Sequence, residues 1–297
     1  MRRMSTLRTV LATLLATALL VLATAAVVVW SGWYPTGATR QHWQVVYSLL
    51  ELTMRQSVRL GASEVAVPAL DAPRMLARGA ACYRDKCVQC HGAPGVAQAD
   101  IGRSMQPLPG PLVDATQRWT TAQIYWITRH GIRMSGMPAW EFRLTDEDLW
   151  AVTAFVERLP KLSPADYAAA TTSGAAYFKL ASTAGADLAR CGLAPGLLDA
   201  APGRAPDVAR GKLALTQYAC SACHTIPGVV SSSAQVGPPL AGLARRTVIA
   251  GRLPNTQDNL VRWLRHPRVI DPQTAMPDLE VSEADARDMA AYLATLD

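Results

Sequence analysis

The sequence predicts an all-α protein: two small helical domains in tandem, carried behind one N-terminal helix long enough to cross a membrane. Three observations predict it. An uncharged stretch runs from Thr9 to Thr39, two later stretches (72–160 and 206–297) follow a common plan, and no strand-like alternation of apolar and polar residues competes with helical spacing.

The N-terminal element comes first. Arg2, Arg3 and Arg8 precede the uncharged stretch, whose apolar part from Thr9 to Trp30 is 22 residues long. As a helix it measures about 33 Å, enough for the hydrocarbon core of a bilayer. Basic residues ahead of the span set an N-in, C-out orientation, and Trp30, Trp33 and Tyr34 suit the far interface. A cleaved signal peptide is the competing reading, with Ala23-Thr24-Ala25 as its processing site. Val27-Val28-Val29-Trp30 speaks against cleavage, because it prolongs the apolar run where a processing region turns polar. Either way the remainder is exported. The expectation is a bacterial inner-membrane protein with residues 1–39 as cytoplasmic tip and single-pass anchor, and with its domains in the periplasm.

Residues 40–71 come next. His42 to Leu60 has the spacing of an amphipathic helix, with Trp43, Val46, Tyr47, Leu50, Met54 and Val58 on one stripe. That stripe either packs on the following domain or docks on a partner membrane subunit. Pro68 and Pro73 then break the chain ahead of the first unit, 72–160. Residues 161–205 turn to Ala, Gly, Ser and Pro, the composition of a linker with a little helix. The second unit is 206–297.

The shared plan has three parts. Arg78-Gly79 and Arg210-Gly211 each open a helix that leads into cysteines. Met137-Pro138 and Met276-Pro277 lie well downstream. Each unit closes on a helix with a capping start, Thr145-Asp146-Glu147-Asp148 and Ser282-Glu283-Ala284-Asp285. The tails, from Ala154-Phe155 and from Ala291-Tyr292, also correspond.

The formal charge of +6 does not point to nucleic acid. Half of it, +3, lies in residues 1–71, the second unit is neutral, and no lysine- or arginine-rich run makes a nucleic-acid footprint.

Four of the six cysteines fall in Cys87-Val88-Gln89-Cys90-His91 and Cys220-Ser221-Ala222-Cys223-His224. Two spacer residues on a helical turn let both thiols reach the two vinyl groups of one porphyrin, and the adjacent histidine then faces the iron. A zinc site would need two more well-spaced ligands near each pair, and a thioredoxin-like dithiol would need a βαβ context. Neither is present in the sequence. The expected cofactors are therefore two covalently attached haem c groups.

A sixth iron ligand is sought in each unit. In the second, Met276 precedes proline, whereas Met289 sits on the closing helix at core spacing. In the first, His130-Gly131-Ile132-Arg133-Met134-Ser135-Gly136-Met137-Pro138 offers two thioethers and an imidazole. The duplicated plan favours Met137 over Met134 and His130, while His266 and His42 are read as non-ligands. The expected metal ligands are thus His91 with Met137 and His224 with Met276. Imidazole opposite thioether raises the reduction potential and closes both axial positions, so the iron changes charge without changing ligands. That is electron transfer rather than catalysis, and no diffusible substrate is expected.

On these residues the chain resembles the class I cytochromes c, most closely in the second unit. Gly237-Pro238-Pro239-Leu240-Ala241-Gly242-Leu243 is similar to the family's loop after the attachment motif. There the resemblance makes the Pro238 carbonyl the acceptor of the proximal histidine's ring N–H. It also places Arg246 near a haem propionate. Leu260 to Met276, with Pro267, Pro272 and Thr274, resembles the segment carrying the distal ligand, and Trp263 falls where an aromatic lines the methionine side. In the first unit Gly110-Pro111-Leu112 is the counterpart, with Pro111 supplying the carbonyl. His91-Gly92-Ala93-Pro94-Gly95 and Gly136-Met137-Pro138-Ala139-Trp140 resemble membrane-bound dihaem cytochromes. That resemblance implies a haem–copper terminal oxidase or a periplasmic dehydrogenase as redox partner. Two other classes of function compete with a free carrier: a dihaem peroxidase, which needs an open iron, and a cytochrome subunit held permanently in a complex.

Cys82 and Cys191 remain. They either pair, tying the linker to the first domain, or stay as two buried thiols. The porphyrin, a large apolar body, would stand in for scarce core aromatics (three Phe in the whole chain), and the apo chain is expected not to fold stably.

Overall fold

The computed structural model describes residues 2–172, 205–230 and 236–297, with the side chains of residues 2–5 and 142 left aside. Its regular structure is mostly helical. The first helix, α1 (Arg2–Ser31), is uncharged from Thr9 onward and its described side chains are almost all exposed within the chain. A fully apolar exposed surface needs a non-aqueous neighbour, and both a bilayer and the export machinery supply one. Helix α2 (Gln44–Gly61) follows.

The residues cluster into two compact units, Met1–Glu141 with Asp146–Tyr177, and Phe142–Thr145 with Phe178–Asp297. In the first, α2 packs on α5 (Thr121–His130). Gly61 sits so close to the Trp126 indole that a Cβ there would overlap it. The amphipathic stripe is only partly used for this contact. Val58 is buried and Met54 and Val46 are half-buried, but Trp43, Tyr47 and Leu50 stay exposed.

The core of the first unit is the crossing of α3 (Pro73–Cys82) with α6 (Asp146–Arg158). Pro73 at the first helical turn and three carboxylates in the first turn of α6 are the local reasons these helices start where they do. At the crossing, a Cβ on Gly79 would overlap the Ala151 carbonyl. Only glycine lets the two backbones approach this closely. Beside it, the Arg78 guanidinium donates to the fully buried Asp148 carboxylate at 2.7 Å. Residues 164–172, assigned to the linker by composition, form a helical segment, and Tyr167 packs against Tyr83 and Phe155. The first unit thus extends past residue 160.

The second unit repeats the crossing with α7 (Val208–Gln217) and α9 (Glu283–Leu293). Asp207 and Ser282 cap their helices by accepting from the N–H groups of Arg210 and Asp285. A Cβ on Gly211 would overlap the Asp288 carbonyl. Helix α8 (Gln257–Arg265), capped by Thr256, completes a core of Leu215, Ile226, Leu260, Trp263, Leu264, Met289 and Leu293. A two-residue antiparallel pair, Val248–Ile249 with Leu253–Pro254, is a small departure from an all-helical reading. It closes a tight turn through Ala250 and Gly251, both at positive φ.

Candidate functional site

In the first unit α3 runs into a five-residue π turn (Tyr83–Cys87) and then into α4 (Val88–His91). The wider turn delivers Cys87 buried and Cys90 half-exposed one helical turn apart, with His91 at the helix end. Gly92 at φ 63° then reverses the chain, a conformation that favours glycine. Burial pushes the Cys87 thiol up to about 12, and in the second unit the Cys220 thiol up to about 11. Redox-active thiols sit in surroundings that lower their pKa, so these burial-dominated sites argue against dithiol chemistry.

His91 Nδ1 lies 2.7 Å from the Gly110 carbonyl. A carbonyl only accepts, so Nδ1 carries the proton and Nε2 keeps its lone pair. Burial holds the imidazole below its usual pKa, opposed in part by the Gly110 bond, and this keeps it neutral and able to ligate. His224 Nδ1 likewise lies 2.8 Å from the Pro238 carbonyl. Gly237, just before it, comes so close that a Cβ would stand 2.5 Å from the His224 ring.

One sequence expectation needs correcting. The carbonyl facing His91 belongs to Gly110, not Pro111. The Pro111 carbonyl instead faces the Arg118 guanidinium at 3.4 Å. The physical reason lies in the register of the loop. Gly110-Pro111-Leu112 corresponds to Pro238-Pro239-Leu240, so the first proline of the second unit is matched by a glycine.

The same register exposes a residue the sequence reading missed. Arg246 donates to the carbonyls of Pro239 (2.6 Å) and Ala241 (3.2 Å). Arg118 stands at the corresponding distance along the chain and touches Pro111, the counterpart of Pro239. Its signal was an arginine eight residues after the histidine-facing carbonyl in both units, visible only once that carbonyl was known.

The distal candidates also correspond. Met137 N–H donates to Ser135 Oγ (3.1 Å) and Met276 N–H to Thr274 Oγ1 (3.2 Å), so a hydroxyl two residues upstream sets both Met-Pro corners. Both methionines are half-buried, and Met276 packs on the second core, to which buried Trp263 belongs. Met134 points away, 86% exposed at φ 61°. His130 stacks obliquely on Trp126 with Glu141 3.7 Å from Nδ1. His42 lies against Tyr34, His266 is exposed, and Met289 is buried in the core. The Met105 sulfur, not singled out by the sequence, packs against Gly136 beside the Met137 corner. Cys82 is buried and disulfide-bonded, and Cys191, the partner weighed for it, lies outside the described residues.

The donor set fits haem c. Each unit presents two thiols on one helical turn, an imidazole with its lone pair free, and a thioether corner. Among the described residues no group of three or more His, Cys, Asp and Glu side chains is gathered to hold a bare metal ion.

Comparison with known proteins places a cytochrome family over each unit. Residues 74–156 match the family described as cytochrome c oxidase, cbb3-type, subunit III, and residues 208–297 match the family described as cytochrome c. A curated relative, "Cytochrome c oxidase subunit 2" of Alkalihalophilus pseudofirmus, is 32% identical over 88 residues, which is 29% of this chain. The match spans 25% of that relative's length. No solved structure matches the chain. Cytochrome c domains imply haem c binding and electron carriage, and this chain carries two of them in tandem behind an apolar N-terminal helix.

Proposed function

We propose that this chain relays single electrons in the periplasm through two covalently held, His/Met-ligated c haems, anchored to the inner membrane by α1, with a haem–copper oxidase as the acceptor. The observation that carries the reading is the duplicated donor set. Each unit sets a Cys-x-x-Cys-His turn, whose ring Nδ1–H is engaged by a carbonyl, alongside a Met-Pro corner braced by a hydroxyl.

When bound, each haem supplies a one-electron ferric–ferrous couple. The chain's residues do the rest. Cys87, Cys90, Cys220 and Cys223 would form thioethers that prevent the group's loss. Gly110 and Pro238 would orient the proximal imidazoles and raise their basicity. Met137 and Met276 would close the sixth positions and favour the ferrous state. Arg118 and Arg246 would face the propionates. Trp263 would shield the methionine side in the second unit.

The family matched by residues 74–156 and the curated relative are both named for an oxidase, which supports an oxidase over a dehydrogenase as partner. The second unit carries equal numbers of acidic and basic residues. Such a surface suits docking through a small apolar patch round a haem edge, as transient electron-transfer encounters use.

The test is direct. Purified from membranes in mild detergent, the chain should give two haems per polypeptide in a pyridine haemochrome assay, and the ascorbate-reduced protein should be reoxidised by the co-purified oxidase. A high-spin ferric signal with peroxide turnover would replace this reading with a peroxidase.

A further inference from the structure

The two proximal loops can be laid side by side, residue by residue. In the second unit the loop clasps the attachment turn with its own backbone. Gly237 N–H donates to the Cys223 carbonyl at 2.8 Å, and Leu240 N–H to the Thr225 carbonyl at 2.9 Å. Between them Pro238 presents its carbonyl to His224. Two backbone bonds thus fix the orienting carbonyl from both sides.

In the first unit the residue matching Gly237 is Pro109, which has no N–H to give. The loop is also longer, with the orienting carbonyl nineteen residues after the histidine instead of fourteen. The Cys90 carbonyl, counterpart of Cys223, nevertheless has a donor. Gln98 Nε2 lies 2.7 Å from it and 2.7 Å from the Pro109 carbonyl. One amide NH2 carries two hydrogens and so serves both oxygens. The Gly92 carbonyl, counterpart of Thr225, accepts from the buried Tyr83 hydroxyl at 2.7 Å. The carbonyl positions bonded by backbone in one unit are bonded by side chains in the other.

We propose that Gln98 is a positioning residue of the first haem site: its amide replaces the backbone N–H that Pro109 lacks, pins Pro109 to the attachment turn, and so holds the Gly110 carbonyl on His91. This rests on the reading of His91 as proximal ligand. Gln98 sits outside the attachment motif, the proximal loop triplet and the distal corner, and its role follows from the proline it compensates. A side-chain strut is also easier to loosen than a backbone clasp, since its torsions must be held in one rotamer. The first site therefore has a proximal bond that one substitution can weaken without altering any ligand.

The experiment uses the full-length holoprotein in detergent. Haem content is measured first, and a wild-type value below two would overturn both this proposal and the electron-relay reading. Exchange of each proximal ring Nδ1–H with deuterated solvent is then followed by NMR on the reduced protein, and the two midpoint potentials are measured. In Gln98→Leu the His91 proton should exchange about tenfold faster, the scale of one lost hydrogen bond, with His224 unchanged. The first potential should rise as the imidazole loses basicity, and the second should not move. Gln98→Glu, which turns an acceptor towards two carbonyls, should exchange faster still. Adding Pro109→Gly to Gln98→Leu restores a backbone donor and should return exchange towards the wild-type rate. Two haems with His91 exchange and potential unchanged in Gln98→Leu would overturn the proposal. A defect that Pro109→Gly fails to relieve would do the same.

Discussion

Set side by side, the two domains share a crossing and differ in how they hold what lies beneath it. Both bring their first and last helices together at a glycine that admits no Cβ, Gly79 on Ala151 and Gly211 on Asp288. Below, the second domain has a short loop and satisfies the turn's carbonyls from its backbone. The first has a longer, proline-rich loop and satisfies them through Gln98 and Tyr83. The acidic residue opening the closing helix differs as well. Asp148 is fully buried and ion-paired with Arg78, whereas Asp285 is half-buried and accepts from the Arg143 guanidinium and from the hydroxyls of Tyr218 and Ser282. What is kept is geometry that only one residue type can supply. Hydrogen-bond satisfaction is kept too, but its donors are interchangeable.

Four measurements would sharpen or break that comparison. The largest effect is expected from the attachment cysteines. Cys87→Ser with Cys90→Ser, or Cys220→Ser with Cys223→Ser, should each leave one haem per chain, and should unfold the emptied domain while the other stays reducible. A chain that kept both domains folded with one haem would show that the porphyrin is not a necessary part of either core. Next come the distal ligands. Met137→Ala and Met276→Ala should each abolish the methionine–iron charge-transfer absorption of one haem only, with Met134→Ala silent. Loss of that signal in Met134→Ala instead would reassign the first distal ligand.

Third are the crossings. Gly79→Val and Gly211→Val should each destabilise their own domain by about 3 kcal/mol, the upper range of overpacking, because backbone rather than a flexible side chain obstructs the new atoms. Denaturant unfolding followed at each haem would show it, and a shift below about 1 kcal/mol would mean that the crossing relaxes. The smallest contrast lies at the closing-helix carboxylates. Asp148→Ala removes the buried carboxylate that Arg78 donates to and should cost about 3 kcal/mol. Tyr218→Phe removes one hydrogen bond to Asp285 and should cost about 1 kcal/mol. Equal effects would erase this difference between the domains.

Much of this was legible in the sequence because the chemistry demands fixed neighbours. Two thiols and an imidazole must lie within five consecutive residues, and a helix able to cross a bilayer must be uncharged for its length. The Arg-Gly pairs were visible as a repeated sign, but their purpose was not, since a missing Cβ matters only when a second helix lies against it. The placement of the first orienting carbonyl was misread at Pro111 because the loops differ in length and proline content, and sequence spacing alone has no marker for which carbonyl turns inward. Arg118 was passed over for the same reason.

By itself, then, the sequence determined the helical duplicate architecture and the two cytochrome c domains that imply haem c, because both follow from local spacing. Only the tertiary structure decided which carbonyl meets His91, which thioethers stand near the Met137 corner, that the first domain runs past residue 160, and that the Gln98 amide reaches the Cys90 and Pro109 carbonyls. Those are contacts between segments distant along the chain. The physical reason is that a buried carbonyl must find a donor but does not specify from which residue it comes.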